Sequence, residues 1–105
     1  MGLAPYGVHD EEIRKKLQQV LNIENENYTV DPSYIYFDKR TYSGKFTDKL
    51  VALLGEPRKK GHEFTQFHKN IAYATQELLE EAISNLVLHG IKLTGTTKVC
   101  VAGGV

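Results

Sequence analysis

The sequence predicts an α/β fold that is mostly helical. A long helical pattern covers residues 65–94, and a short apolar run after it predicts a strand over residues 98–102. A third stretch, residues 28–37, is rich in aromatic and β-branched residues and predicts a short β-hairpin. A chain of 105 residues is long enough for one small domain with its own core.

The long helix is predicted because apolar residues recur mostly every three or four positions. Thr65 is expected to cap its first turn through the side-chain hydroxyl. Gly90 is expected to lie inside the helix, and Gly95 to end it, since glycine adopts the left-handed conformation without steric penalty. The predicted buried stripe consists of Phe67, Ile71, Ala74, Leu78, Ala82, Ile83 and Leu86.

The residues after this helix form a candidate ligand site. Residues 99–101, Val-Cys-Val, do not alternate with polar residues, which is typical of a strand buried on both faces of a parallel sheet. In α/β folds ligands bind beyond the carboxyl ends of such strands, and glycine there lets a phosphate or an adenosine approach the backbone. We therefore predict a nucleotide-facing turn at Gly103 and Gly104. A plain Gly-Gly turn is the alternative interpretation.

The first part of the chain predicts a loop and a helix. Residues 1–8 contain two glycines and a proline, which favours a loop. Residues 10–22 predict a helix whose first turn is capped by Asp10. Glu11 and Lys15 lie four positions apart in this helix, in the order that stabilises it.

The middle of the chain predicts the hairpin and another helix. In the hairpin over residues 28–37 the turn is expected at residues 31–33, Asp-Pro-Ser. Tyr28, Tyr34 and other tyrosines of this region either stack on a ligand or pack against the helices. Residues 47–54 predict a helix with Thr47 as its cap and Gly55 after its last residue.

Composition excludes several classes of function. Thirteen basic residues balance thirteen acidic ones, which disfavours nucleic acid as the main partner. A single cysteine rules out an internal disulfide and fits a reducing compartment. The sequence has neither an apolar run of membrane-spanning length nor a basic-then-apolar leader. We therefore expect a cytoplasmic protein without a membrane partner.

The polar residues do not predict a metal site within this chain. His62 and His68 are six positions apart, which is not the spacing of a helical metal-binding pair. Cys100 lies in the apolar run, where it is expected to act as a small hydrophobic residue rather than a nucleophile. The basic residues 58–60 either meet a phosphate or form a solvated loop.

Several short stretches occur in an order and spacing that resemble one enzyme family. The stretches are residues 1–7 (Met-Gly-Leu-Ala-Pro-Tyr-Gly), 55–58 (Gly-Glu-Pro-Arg), 68–72 (His-Lys-Asn-Ile-Ala), Gln76, Glu80 and 99–105 (Val-Cys-Val-Ala-Gly-Gly-Val). The similarity is to the O-carbamoyltransferases of the nodulation and antibiotic-tailoring type, and it covers nearly the whole chain. The two end motifs are its most specific part.

The resemblance implies a fold and an activity for a longer parent protein. Such a parent has an actin-like ATPase-type domain, and a smaller domain that makes carbamoyl-adenylate from carbamoyl phosphate and ATP. The carbamoyl group then passes to a hydroxyl of a small molecule, with a divalent metal, iron, near the nucleotide. By this resemblance Gly103, Gly104 and Val105 match the adenosine-facing turn. Gly2 and Tyr6 match an opening loop near the cleft, and the metal ligands of the family match no residue here.

The resemblance also implies that the chain is an internal segment of the actin-like domain. On this interpretation the chain is inactive by itself, binds no cofactor alone, and self-associates through the edge of its terminal strand. Two alternatives stay open. One is a segment of a related actin-like sugar kinase or tRNA threonylcarbamoyl-transfer protein, and the other is a non-enzymatic interaction module that uses the long helix and the exposed strand edge.

Overall fold

The computed structural model describes residues 2–36 and 46–103. In these ranges the chain forms three α-helices and one antiparallel β-hairpin, which confirms a mostly helical α/β protein. Short 3-10 helices occur at Ala4–Tyr6 and Pro32–Tyr34. The helices and strands are α1 (Glu11–Gln18), β1 (Leu21–Glu24), β2 (Asn27–Val30), α2 (Asp48–Leu54) and α3 (Gln66–Thr94).

Helix α1 is shorter than the predicted helix over residues 10–22. It begins after Asp10, whose carboxylate accepts hydrogen bonds from the amides of Glu12 and Ile13, both at 3.1 Å. It ends at Gln18, and Leu21 already belongs to β1. The prediction was too long because a short apolar run fits a helix end and a strand equally well.

The hairpin lies earlier in the chain than predicted. In the register of β1 and β2, Leu21 lies opposite Val30 and Glu24 lies opposite Asn27. The turn between the strands includes Asn25, which has a φ of 53°. Asparagine adopts this left-handed conformation more readily than most other residues. Residues 22–27 therefore contain most of β1 and the hairpin turn.

The residues after β2 do not form the predicted turn and second strand of the hairpin. Asp31 accepts hydrogen bonds from the amide and hydroxyl of Ser33, at 2.8 and 2.6 Å, and starts the 3-10 helix Pro32–Tyr34. This local bonding replaces the predicted hairpin turn. Tyr34 is buried, so it packs within the protein rather than presenting its ring to a ligand. Phe37, the last residue of the predicted hairpin, lies outside the described residues.

Helices α2 and α3 lie where the sequence predicts helices. Helix α2 spans Asp48–Leu54, and the Thr47 hydroxyl accepts a hydrogen bond from an amide of its first turn. Helix α3 spans Gln66–Thr94 and ends at Gly95, which has a left-handed φ of 70°. Neither these helices nor α1 is long and apolar enough to cross a membrane.

The core lies between α1 and α3. Ile13 and Leu17 of α1 pack against Ala74 and Leu78 of α3, and Ala74 has no exposed surface. The buried residues of α3 follow a step of four, which is a narrower stripe than the sequence predicts. Part of the predicted stripe was wrong, because α1 has only eight residues and covers one side of a much longer helix. The exposed members are Phe67 (42%), Ile83 (52%) and Leu86 (47%).

The predicted core strand over residues 98–102 is not formed. The described residues after Gly95 have neither helix nor strand, and Val101 is 91% exposed. A strand needs a hydrogen-bonded neighbour, and the sheet in the described part of the chain contains β1 and β2 alone. Cys100 is likewise exposed, so its prediction as a buried hydrophobic residue was wrong.

Candidate functional site: the cleft beside the opening loop

The first residues of the chain form a compact turn against α3. The segment Ala4–Tyr6 is a 3-10 helix with proline in its first turn, where the missing amide hydrogen is no disadvantage. The Gly7 amide donates to the Ala4 carbonyl at 3.0 Å. Ala4 is buried. We call residues 2–8 the opening loop, and much of this predicted loop is thus ordered by a turn of helix.

Gly7 allows the opening loop to approach α3 closely. A Cβ atom at this position would lie 2.2 Å from the carbonyl oxygen of Lys69 and 2.7 Å from Cβ of Tyr73. Its φ of −90° is accessible to any residue. Glycine is therefore required here because of the contact with α3 and not because of the backbone conformation.

Polar bonds fix the loop on the first turns of α3. The Val8 amide donates to Oδ1 of Asn70 at 3.1 Å. The side-chain amide of Gln66 donates to the same oxygen at 2.9 Å and to the Tyr6 carbonyl at 3.3 Å. Asn70 lies in the His-Lys-Asn-Ile-Ala motif, so this motif helps to hold the opening motif in place.

The opening loop and α3 form the two walls of an open cleft of about 320 Å³. One wall is apolar, and the other carries the carboxylates. Within the cleft the Gln76 side-chain amide donates to Oε1 of Glu80 at 2.8 Å. The cleft can therefore take a small ligand that has an apolar face and hydrogen-bond donors. Its lining residues are Ala4, Pro5, Tyr73, Gln76, Glu77 and Glu80.

His9 joins the end of the opening loop to this cleft. Its Nδ1 lies 3.1 and 3.2 Å from the two carboxylate oxygens of Glu77. Its Nε2 lies 3.3 Å from Oε2 of Glu11. The hydrogen bond and charge of Glu77 raise the pKa of His9 above its ordinary value, and Glu11 adds to this effect. The imidazole is therefore more easily protonated than that of a free histidine.

His68 helps to cap the first turn of α3. The Thr65 amide donates to Nδ1 of His68 at 3.0 Å, which is one half of a capping box. The His68 ring also makes edge contacts with the rings of Phe64 and Phe67.

Among the described residues no three or more histidine, cysteine, aspartate or glutamate side chains lie where they could hold a metal ion together. The described part of the chain therefore does not fit a metal centre of its own.

Ion pairs attach the hairpin and α1 to α3 away from the cleft. Glu26, in the hairpin turn, accepts from Nδ1 of His89 at 2.6 Å and pairs with Lys92. Hydrogen bonds from Lys92 and then His89 lower the pKa of Glu26. Arg14 of α1 pairs with Glu81 of α3. These contacts fix the elements that position the cleft.

Of the predicted nucleotide-binding residues the structure describes Gly103, and this residue does not line the cleft. Gly103 is exposed, and no atom beyond its chain neighbours lies within 4 Å of where its Cβ would be. Gly104 and Val105 lie outside the described residues. Nucleotide binding by these three residues therefore stays a prediction.

The predicted loop residues lie near the cleft but do not line it. Gly2 is exposed, and Tyr6 is 68% exposed. Ala4 and Pro5, between them, form the wall instead. One signal in the sequence pointed to this arrangement. Residues 1–7 and the pair Gln76 and Glu80 all belong to the stretches that resemble the same family. Tyr73 and Glu77 carried no such signal.

Comparisons with known proteins agree with the motifs. The chain is 31% identical over 105 residues to nodulation protein NolO of Bradyrhizobium diazoefficiens, and 31% identical over 107 residues to nodulation protein NolNO of Sinorhizobium fredii. Both alignments cover the whole chain, but the chain spans 17% and 14% of the lengths of these relatives. No family model and no solved structure matches it. Over its whole length the chain is thus a homologue of NolO and NolNO, which confirms the resemblance to nodulation-type proteins.

Proposed function

We propose that the chain is part of an O-carbamoyltransferase. This enzyme would transfer a carbamoyl group from carbamoyl phosphate, through carbamoyl-adenylate, to a hydroxyl of a small molecule. Homology to the nodulation proteins over the whole chain supports the proposal, as does the resemblance of its end motifs to this enzyme class. The observation that carries it is that the opening loop and the motif residues Gln76 and Glu80, far apart in sequence, meet in one cleft.

In this proposal the cleft binds the hydroxyl-bearing acceptor. The carboxylates of Glu77 and Glu80 accept hydrogen bonds from hydroxyl groups, while Ala4 and Pro5 contact the apolar face of the same molecule. Gly7 supports the site indirectly, because its close contact with α3 sets the position of the apolar wall.

The proposal also assigns the chain to an actin-like ATPase-type domain of a cytoplasmic protein. The exposed residues Val99 and Val101 would then pair with strands of a larger sheet, and Gly103, Gly104 and Val105 would form the adenosine-facing turn. ATP supplies the adenylate that activates the carbamoyl group. A divalent metal, iron, would be held by groups other than the described residues of this chain, because those residues offer no ligand set.

The test is a chimera in which this chain replaces the homologous stretch of NolO. Transfer of radiolabelled carbamoyl from carbamoyl phosphate is measured with ATP, Fe²⁺ and the acceptor that unmodified NolO carbamoylates. We expect the chimera to retain transfer, and a chimera that carries an unrelated 105-residue sequence to lose it. A folded chimera without transfer would contradict the proposal.

The chain alone provides a second measurement. With the same reagents we expect it to show no turnover, because the described residues supply neither a metal site nor a formed nucleotide turn.

Transfer of the ATP γ-phosphate to a sugar by the chimera would favour the sugar-kinase alternative. Labelling of tRNA would favour the threonylcarbamoyl-transfer alternative.

A further inference from the structure

Both ring nitrogens of His9 face carboxylates that belong to different helices. Nδ1 contacts Glu77 of α3 at 3.1 Å, and Nε2 contacts Glu11 of α1 at 3.3 Å. A neutral imidazole carries one N–H and can donate to only one of these groups, whereas an imidazolium donates to both. In the neutral form a nitrogen lone pair therefore faces a carboxylate on one side.

The position of His9 gives this contact a structural consequence. The residue directly before it, Val8, is bonded to Asn70, and the residue directly after it, Asp10, caps α1. Glu77 also lines the cleft. The charge of His9 therefore affects the position of the opening loop, the start of α1 and the carboxylate of Glu77 in the cleft.

The other charged groups in this region have partners of their own. Lys15 contacts Glu11 at 3.5 Å, and Arg14 pairs with Glu81. Glu80, the remaining carboxylate of the cleft, accepts from Gln76. The carboxylates that contact the His9 ring are thus Glu77 and Glu11, and both favour the imidazolium.

We propose that His9 is a pH-dependent clamp that holds the opening loop and the start of α1 on α3. When protonated, it links Glu11 to Glu77. When neutral, it loses one of the two bonds, and the negative charge of Glu77 is left uncompensated at the cleft. The clamp acts independently of any carbamoyl transfer.

The direction of the pH effect follows from the raised pKa of His9. A group whose pKa is higher in the folded state stabilises that state fully below its ordinary pKa, about 6.5 for histidine. This stabilisation is lost as the pH rises through the raised pKa. Since the side chains of His9 and Glu11 are 51% and 60% exposed, salt should weaken the clamp.

The experiment is an NMR titration of the 105-residue chain. The ring resonances of His9 give its pKa, and the amide resonances of Ala4, Tyr6, Gly7 and Val8 report on the opening loop. We expect the His9 midpoint above 6.5, with the loop amides shifting at the same midpoint. Glu77→Gln should lower the midpoint, and His9→Gln should abolish the loop transition.

His62→Gln is the matched control, because it removes another histidine from an exposed position outside the clamp. It should leave both the His9 midpoint and the loop transition unchanged. A His9 midpoint at or below about 6.5 would overturn the proposal. Loop amides that stay constant through that midpoint in the unmodified chain would overturn it as well.

Discussion

The Val8 amide donates to Oδ1 of Asn70, 3.1 Å away in space and 62 positions later in the chain. Gln66 donates to the same oxygen at 2.9 Å, so one side chain binds both the loop and the first turn of α3. The cleft walls are therefore set by contacts between the opening loop and the first turns of α3. Their position is sensitive to changes at the contact between the opening loop and α3.

Gly7→Ala tests that contact. The added methyl group would lie 2.2 Å from the Lys69 carbonyl, so the opening loop must move away from α3. We expect the free energy of unfolding to fall by about 1–3 kcal/mol, as for other overpacked sites. Urea denaturation measures the change. Gly2→Ala is the control, because no atom lies near its Cβ position, and equal losses for both variants would contradict this account.

Leu78→Ala tests the core between α1 and α3. Leu78 is 1% exposed, and its neighbour Leu79 is 42% exposed on the same helix. Truncation of a buried leucine costs about 2–5 kcal/mol, because apolar contacts are lost and a cavity remains. We expect Leu79→Ala to cost much less. Denaturation midpoints that fall equally for the two variants would show that α1 does not cover this face of α3.

Local signals in the sequence predicted the helices better than the strands. Thr47, Gly55 and Gly95 mark helix ends by their own side chains or backbone conformations, and α2 and α3 begin or end beside them. Leu21 and Ile23 lie in a short run that is compatible with either helix or strand. Their placement in β1 depends on the left-handed conformation of Asn25 and on packing against the core.

The candidate site was harder to predict, because it depends on contacts across the chain. Nothing near Tyr73 or Glu77 in the sequence indicates that the opening loop packs beside them. For Val99 and Val101, by contrast, a local signal was present but led to a wrong prediction. Their local pattern is strand-like, but a strand also needs a neighbour, and the described sheet provides none.

Asp31 gives a prediction about acid stability. Hydrogen bonds from the side chain and amide of Ser33, and then from Lys49, lower the pKa of Asp31 to about 2. A lowered pKa stabilises the folded state above the ordinary value of about 3.9. That stabilisation is lost as the pH falls toward about 2. NMR titration of the Asp31 carboxyl carbon should show this midpoint.

Variants of its two partners rank the causes of that shift. Ser33→Ala removes the hydroxyl bond of 2.6 Å and should raise the pKa of Asp31 more than Lys49→Met, which removes a contact of 3.0 Å. High salt should reduce the effect of Lys49, because this ion pair is exposed. A larger rise for Lys49→Met would show that the ion pair, and not the serine, fixes the carboxylate.

Cys100 tests both the exposed terminal segment and the proposed assignment to a larger sheet. Its thiol is exposed in this structure, and the following Val101 is 91% exposed. We expect a chromogenic disulfide reagent to label the native 105-residue chain as fast as the urea-unfolded chain, since access no longer limits the reaction. In the NolO chimera the same thiol should react far more slowly, because a strand paired on both sides excludes the reagent.

Slow labelling of the native chain would mean that the terminal segment is covered, for instance by self-association through its apolar edge. Labelling and sedimentation at increasing chain concentration separate that cause from burial within one molecule. Only self-association makes the labelling rate fall, and the sedimentation coefficient rise, as the concentration rises.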